Sequence, residues 1–243
     1  MYAPAEQVID LILGDAARCT LPFAEGTGDR QHATAFWYNH LVEASPDREV
    51  YVQYLLTAEA MTSFDMATWT MRPDLADPGP SATNVLMTDF AAGWKRLPRL
   101  GVAAMPAAHL HDYAGRKGWR WTTDEITDGL AALEEDVATI GRTPVPAYVL
   151  GHDAGGQRDQ VVLAGSAGVD TRGRLRWTAT MPSGCVGAPV FTDIPRADGS
   201  SKLVCLGLVL PGEKHNEIAS FDRIRREIAT LIPRPARRWW KRG

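Results

Sequence analysis

From residue 20 onward the chain consists of short apolar or alternating segments parted by turn residues, and this spacing constrains the fold more than any other feature. Thr34–Tyr38, Glu49–Thr57, Asn84–Met87 and Gly101–Met105 form a first set. Val145–Leu150, Gln160–Leu163, Arg174–Met181, Val190–Thr192 and Leu203–Leu210 form a second. Segments this short, bounded by Gly, Pro, Asn and Asp, predict the strands of an all-β barrel or sandwich. Ser45-Pro46-Asp47 is suited to a hairpin turn between the first two long segments. Arg72–Ser81, with three prolines and a glycine, reads as a loop.

Three stretches follow a helical period instead. Pro4–Ala17 places Ala5, Val8, Leu11 and Ile12 on one side, with Pro4 suited to the first turn and an end near Gly14 or a few residues beyond. Thr122 and Thr123, followed by Asp124-Glu125, predict the start of a helix running to about Ile140. Its apolar face would carry Ile126, Leu130, Leu133, Val137 and Ile140. Asp222 is the expected cap of a last helix, Arg223–Leu231, closed by Pro233 and Pro235. The expected organisation is an N-terminal helix (1–19), a first barrel (20–115), a helical connector (116–142), a second barrel (143–221), a C-terminal helix (222–232) and a basic tail (233–243). No stretch repeats at a period of 20–50 residues, which excludes a solenoid or propeller.

Composition narrows the function classes. A chain of 243 residues that is 45% apolar and 23% charged can bury roughly 70–75% of its unfolded surface without staples. No apolar run reaches the roughly 18 residues a spanning helix needs. The apolar patch Val8–Leu13 carries Asp10 and lacks a basic flank, so no signal peptide is expected. Cys19, Cys185 and Cys205 are odd in number and have no metal spacing, so no disulfide framework, metal site or other cofactor is expected, and a cytoplasmic location is. Five of the 26 basic residues (Arg234, Arg237, Arg238, Lys241 and Arg242) fall in the last ten positions. The remaining 21 face 29 acidic residues, a sign that disfavours nucleic acid as the partner of the body. The tail interleaves these cations with Trp239 and Trp240, a pattern suited to an acidic partner surface, with a nucleic-acid backbone or an anionic membrane as other outlets. A frayed, solvated end is the plainer alternative.

Pro182-Ser183-Gly184-Cys185-Val186-Gly187-Ala188-Pro189-Val190-Phe191 is the most informative string. Two glycines around a central pair, then proline and an apolar strand, describe a tight loop that feeds a strand. On composition alone it is a β-turn.

The string resembles the nucleophile loop Gly-x-Ser-Gly-Gly-Pro-Val of trypsin-like (chymotrypsin-fold) serine peptidases, bacterial members in particular. Leu55-Leu56-Thr57-Ala58-Glu59-Ala60-Met61 is similar to the family's Val-Leu-Thr-Ala-Ala-His-Cys strand end, which supplies the base. Leu100–Met105 resembles the Asp-Val-Ala-Val-Leu strand that supplies the orienting acid. Ala35–Tyr38, Leu206–Val209 and Phe221–Leu231 match the early strand, the strand after the nucleophile and the terminal helix. The resemblance spans about residues 25–231 and implies a two-barrel all-β fold with a helical connector and helices at both ends.

The same alignment puts Ala60 at the base, Gly101 at the acid and Val186 at the nucleophile. The family's chemistry needs a hydroxyl or thiol, a proton acceptor in reach and a group that fixes the acceptor's tautomer. Alanine, glycine and valine supply none of these, and loss of such a triad costs on the order of 10⁶ in turnover. The resemblance therefore implies a catalytically inactive homologue. The N–H groups of Gly184 and Val186 fall where the family forms its oxyanion hole, and Gly184, Cys185, Val186 and Gly187 are the expected binding residues. Cys185 and Ser183 are the alternative nucleophiles for a retained hydrolase. Cys185 sits one residue from the nucleophile position, and a buried free cysteine is the plainer expectation for it.

Other polar clusters read as structure. His109-Leu110-His111-Asp112 is expected in a loop, His152-Asp153-Ala154-Gly155-Gly156 in a solvated turn, and Asp65, Asp89 and Glu134-Glu135-Asp136 on wet faces. Trp119 and Trp121 flank Arg120 at period two, as an exposed stripe or as a strand half packed on the body. The function these features favour is a protein- or peptide-binding module with a peptidase shape, in a bacterial regulatory or defence system.

Overall fold

Side chains alternate across a strand, and in the long strands of this chain both faces find a core. The computed structural model describes residues 2–26, 31–80, 83–155, 158–196, 198–212 and 215–232; the basic tail Arg234–Arg242 lies outside them. Helix α1 (Ala5–Ala16) precedes strands β1 (Thr20–Glu25), β2 (His32–Ser45), β3 (Arg48–Ala58), β4 (Met66–Thr70), β5 (Ala76–Asp77), β6 (Asn84–Thr88), β7 (Lys95–Leu97) and β8 (Val102–Pro106). Helix α2 (Ala108–Arg116), the short strands β9 (Arg120–Trp121) and β10 (Ile126–Thr127) and the single-turn helix α3 (Glu134–Ala138) follow. Strands β11 (Val145–His152), β12 (Gln160–Val169), β13 (Leu175–Trp177), β14 (Pro189–Pro195), β15 (Ser201–Val209) and β16 (Ile218–Ser220) then lead into helix α4 (Phe221–Leu231).

The strands form two curled, barrel-like sheets. The first runs β6-β4-β1-β2-β3-β8-β7, and β10 joins β2 in parallel; the second runs β13-β12-β11-β14-β15-β16. The β2–β3 hairpin turns at Pro46-Asp47, with Ser45 opposite Arg48. Odd-numbered residues of β2 (Ala33, Ala35, Trp37) fill the first barrel with Leu55, Ala103 and Met105. Phe23 packs against Trp69 and Phe90 there, ring centres 5.0 and 5.2 Å apart. Even-numbered Phe36 and Tyr38, with Tyr54, Leu56, Val102 and Ala104, face the other way and join the core of the second barrel and α4. These strands are buried on both faces, which explains their nearly continuous apolar runs.

Several expected elements differ. The connector is not a helix from 125 to 140. Ile126-Thr127 pairs with Tyr38-Asn39 of β2, a turn follows at Asp128–Leu130, and Ala131 bridges Cys205 of β15. Cys205 N–H donates to Leu130 O at 2.7 Å and Ala132 N–H to Cys205 O at 2.9 Å, so the segment bonds to both sheets instead of to itself. The Asp128 carboxylate fixes the turn, accepting from Tyr38 Oη (2.8 Å), Leu41 N (2.9 Å) and Arg225 Nε of α4 (2.8 Å). Leu133, expected on a buried face, is exposed. Asp136, expected in water, is buried and accepts from Leu133 N and Lys202 Nζ. In α1 the buried stripe is Val8, Ile12 and Ala16, while Ala5 and Leu11 face solvent. Helix α4 begins one residue before Asp222, with Ser220 at its N-cap. His109–Asp112, expected in a loop, lies in α2.

Candidate functional site

β3 ends in a short 3₁₀ turn, Glu59–Met61, that places Ala60 on the surface. Gly101 lies in the turn entering β8, where φ is +65°. Glu59 N–H donates to Gly101 O at 2.8 Å, so the two segments are tied side by side. Ala60 and Gly101 line one open groove of about 470 Å³, together with Glu59, Ser63, Arg96, Leu210 and Pro211. Val186 is not among its lining residues and is only 9% exposed.

The loop containing Val186 is a 3₁₀ turn, Ser183–Cys185, that feeds β14. Val186 N–H donates to Ser183 O at 3.1 Å and Cys185 N–H to Pro182 O at 3.0 Å. One of the two expected oxyanion donors is thus spent inside the turn. Gly184 is buried, and a β-carbon there would stand 2.5 Å from His152 O. Thr34 of β2 clamps the loop from the first barrel, its Oγ1 donating to Gly184 O (2.7 Å) and its N–H to Val186 O (2.9 Å). Gly187, at φ +85°, is pressed so closely onto Thr57 Oγ1 and Thr34 O that no β-carbon fits. Gly184, Cys185, Val186 and Gly187 were expected to face a ligand. All four are instead buried at the seam between the sheets, because the glycines let the loop sink against carbonyls.

The Cys185 thiol also points inward. It donates to His152 O at 3.4 Å, and burial pushes it up to about 12. A nucleophilic cysteine needs a lowered value and access, so the structure gives no support to Cys185 in that role. Ser183 is exposed. His152, expected in a solvated turn, is fully buried. Its Nε2 lies 3.0 Å from Thr20 Oγ1 and its Nδ1 2.9 Å from Arg158 O; Thr20 Oγ1 in turn accepts from Gln160 Nε2 at 2.8 Å. With Nδ1–H donating to the carbonyl and Nε2 accepting from the hydroxyl, the ring is neutral, and burial pushes it down to about 4. It joins the barrels and has no free nitrogen for catalysis.

Sequence reasoning missed Leu210, which stands beside Gly101 in the groove. A β-carbon on Gly101 would lie 3.5 Å from Leu210 Cδ1 and Cδ2. Leu210 N–H donates to Glu217 O (2.8 Å), and Leu210 O accepts from Asn216 Nδ2 (2.8 Å). Pro211 has no N–H. This rim therefore offers no free backbone donor at 210–211 for an added strand.

No protein-family model and no curated protein matches the sequence. Solved structures do. The chain is similar to a serine endoprotease from Yersinia pestis, at 12% identity over 96% of this chain and 68% of that one, with a TM-score of 0.52. It is also similar to the serine protease domain of the Sesbania mosaic virus polyprotein, at 12% identity over 91% and 96% of the two chains, with a TM-score of 0.50. The chain thus has a chymotrypsin-like two-barrel fold, a likeness of fold alone at this identity. Among the described residues no helix is long and apolar enough to cross a membrane.

Proposed function

We propose that this chain is a catalytically inactive member of the trypsin-like peptidase fold that binds a protein or peptide segment in the groove of Ala60 and Gly101. The single observation that carries the proposal is the chemistry at the three aligned positions. Ala60 and Gly101 meet in the groove without an ionisable atom, and Val186 is a buried hydrocarbon whose N–H is already bonded to Ser183 O. The three aligned positions thus supply no nucleophile, no base and no orienting acid, and Val186 offers no free oxyanion donor.

The groove suits side-chain contact better than strand addition, since the backbone of Leu210 is engaged. Its lining carries Glu59 and Arg96 beside the apolar Ala60, Leu210 and Pro211, a fit for a segment with mixed polarity. Three buried free cysteines suit a reducing cytoplasm. The resemblance to bacterial trypsin-like modules of defence and regulatory systems extends the proposal to a scaffold role in such a system, where the basic tail Arg234–Arg242 would meet an acidic partner.

The test has two arms. The purified chain is offered peptide and ester substrates and serine- and thiol-directed covalent probes; no turnover and no specific labelling are expected. Turnover abolished by Cys185→Ala or Ser183→Ala would establish the displaced-nucleophile hydrolase instead. Peptides selected for binding from a display library are then measured against Ala60→Trp, which fills the groove. Affinity should fall at least tenfold; unchanged affinity would remove the groove from the proposal.

A further inference from the structure

A second cavity lies at the mouth of the first barrel, on elements separate from the groove. Helix α2 and the Trp119–Trp121 segment fold over the β4–β6 edge and enclose about 300 Å³. That volume is at the small end of ligand cavities, which run from roughly 300 to 1,000 Å³. Trp69, Val85, Met87, Leu110, Trp119 and Trp121 supply the apolar walls. The roof is held in place: Trp121 Nε1 donates to Leu110 O at 3.0 Å, and Trp119 packs edge-on against Trp121, ring centres 4.9 Å apart.

Arg116 and His109, both on α2, line the cavity with the hydroxyl residues Thr88 and Tyr113, and among the described residues no carboxylate lines it. Arg116 is exposed and makes no ion pair among the described residues. An apolar chamber with the Arg116 guanidinium at its rim fits an apolar body carrying a terminal anion.

We propose that this cavity binds a small amphipathic carboxylate, a medium-chain fatty acid or an arylalkyl acid, with its apolar part among the tryptophans and its carboxylate at Arg116. The site is independent of the groove and of the peptidase-like loop.

The probes are octanoate and its neutral counterpart octanol, titrated into the full chain by calorimetry and by tryptophan fluorescence. Octanoate should bind saturably at one site with a change in tryptophan emission, and octanol at least tenfold more weakly. Arg116→Gln, an exposed change, should abolish that preference. Val85→Trp, which fills the chamber opposite Trp69, should abolish binding of both probes. Absence of saturable octanoate binding overturns the proposal, as does binding equal to that of octanol or indifferent to Arg116→Gln. If Val85→Trp fails to fold, Arg116→Gln and the octanol comparison still decide the outcome.

Discussion

Leu210 stands 3.5 Å from the point where a side chain on Gly101 would begin, filling the flank on which an orienting acid would have to stand. Gly101 itself holds φ at +65°, a region that costs an L-residue roughly 1–2 kcal/mol. Backbone conformation as well as the Leu210 side chain therefore opposes an acid at this position. Gly101→Asp is expected to lower stability by about 1–2 kcal/mol in urea denaturation. The combined Ala60→His, Gly101→Asp, Val186→Ser variant should show no hydrolysis above buffer. Turnover by that variant would mean that the Val186 N–H leaves Ser183 O and the loop still reaches an active arrangement.

The seam between the sheets closes on Gly187. A methyl group there collides with Thr57 Oγ1 and Thr34 O, lies 3.0 Å from Ala58 N, and must adopt φ +85°. Overpacking and the left-handed backbone together predict a loss of about 2–5 kcal/mol for Gly187→Ala. Gly14 provides the contrast, since it sits within α1 with nothing within 4 Å. Gly14→Ala should raise stability by about 0.5–1 kcal/mol. Equal effects of the two substitutions in denaturant titrations would mean that the seam is not tightly packed.

Cys19, Cys185 and Cys205 are all buried, and burial raises all three thiols, Cys185 and Cys205 to about 12. At neutral pH a thiol with such a value is ionised to only about one part in 10⁵. Ellman's reagent should thus find essentially no reactive thiol in the native chain and all three after denaturation. Rapid labelling of native Cys185 would return it to consideration as a nucleophile.

Strand positions were legible because burial on one or both faces leaves its period in the sequence; Thr34–Tyr38 and Glu49–Thr57 lie inside β2 and β3. The connector was not, because Ile126, Leu130, Val137 and Ile140 fit a helical period while bonds from Tyr38, Cys205 and Arg225 decide its path. Those partners are 75 to 97 residues away from Asp128 and Leu130, beyond any local window. The same limit applies to the site. The resemblance pointed to Ala60, Gly101 and Val186, of which only the first two line the groove, while Leu210 and the inward turn of Cys185 depend on packing across the seam. His152 looked like a turn residue because its partner, Thr20, is 132 positions away.

That long-range pair also gives the fold a pH dependence. Burial holds His152 at about 4 in the folded chain, against roughly 6.5 when unfolded. Below about pH 6.5 the unfolded state takes up a proton that the folded state refuses, so stability falls as pH drops from 6.5 toward 4. The full loss is about 3 kcal/mol for this one group. His40, also pushed down by burial, contributes a loss of the same sign as pH falls below about 6.5. His152→Gln gives up the imidazole's bonds to Thr20 Oγ1 and Arg158 O and should be less stable at pH 8, yet its urea midpoint should change much less between pH 7 and pH 4.5. Parallel profiles for the two proteins would mean that His152 accepts its proton in the folded state, and that the seam around Thr20 and Cys185 is open to water.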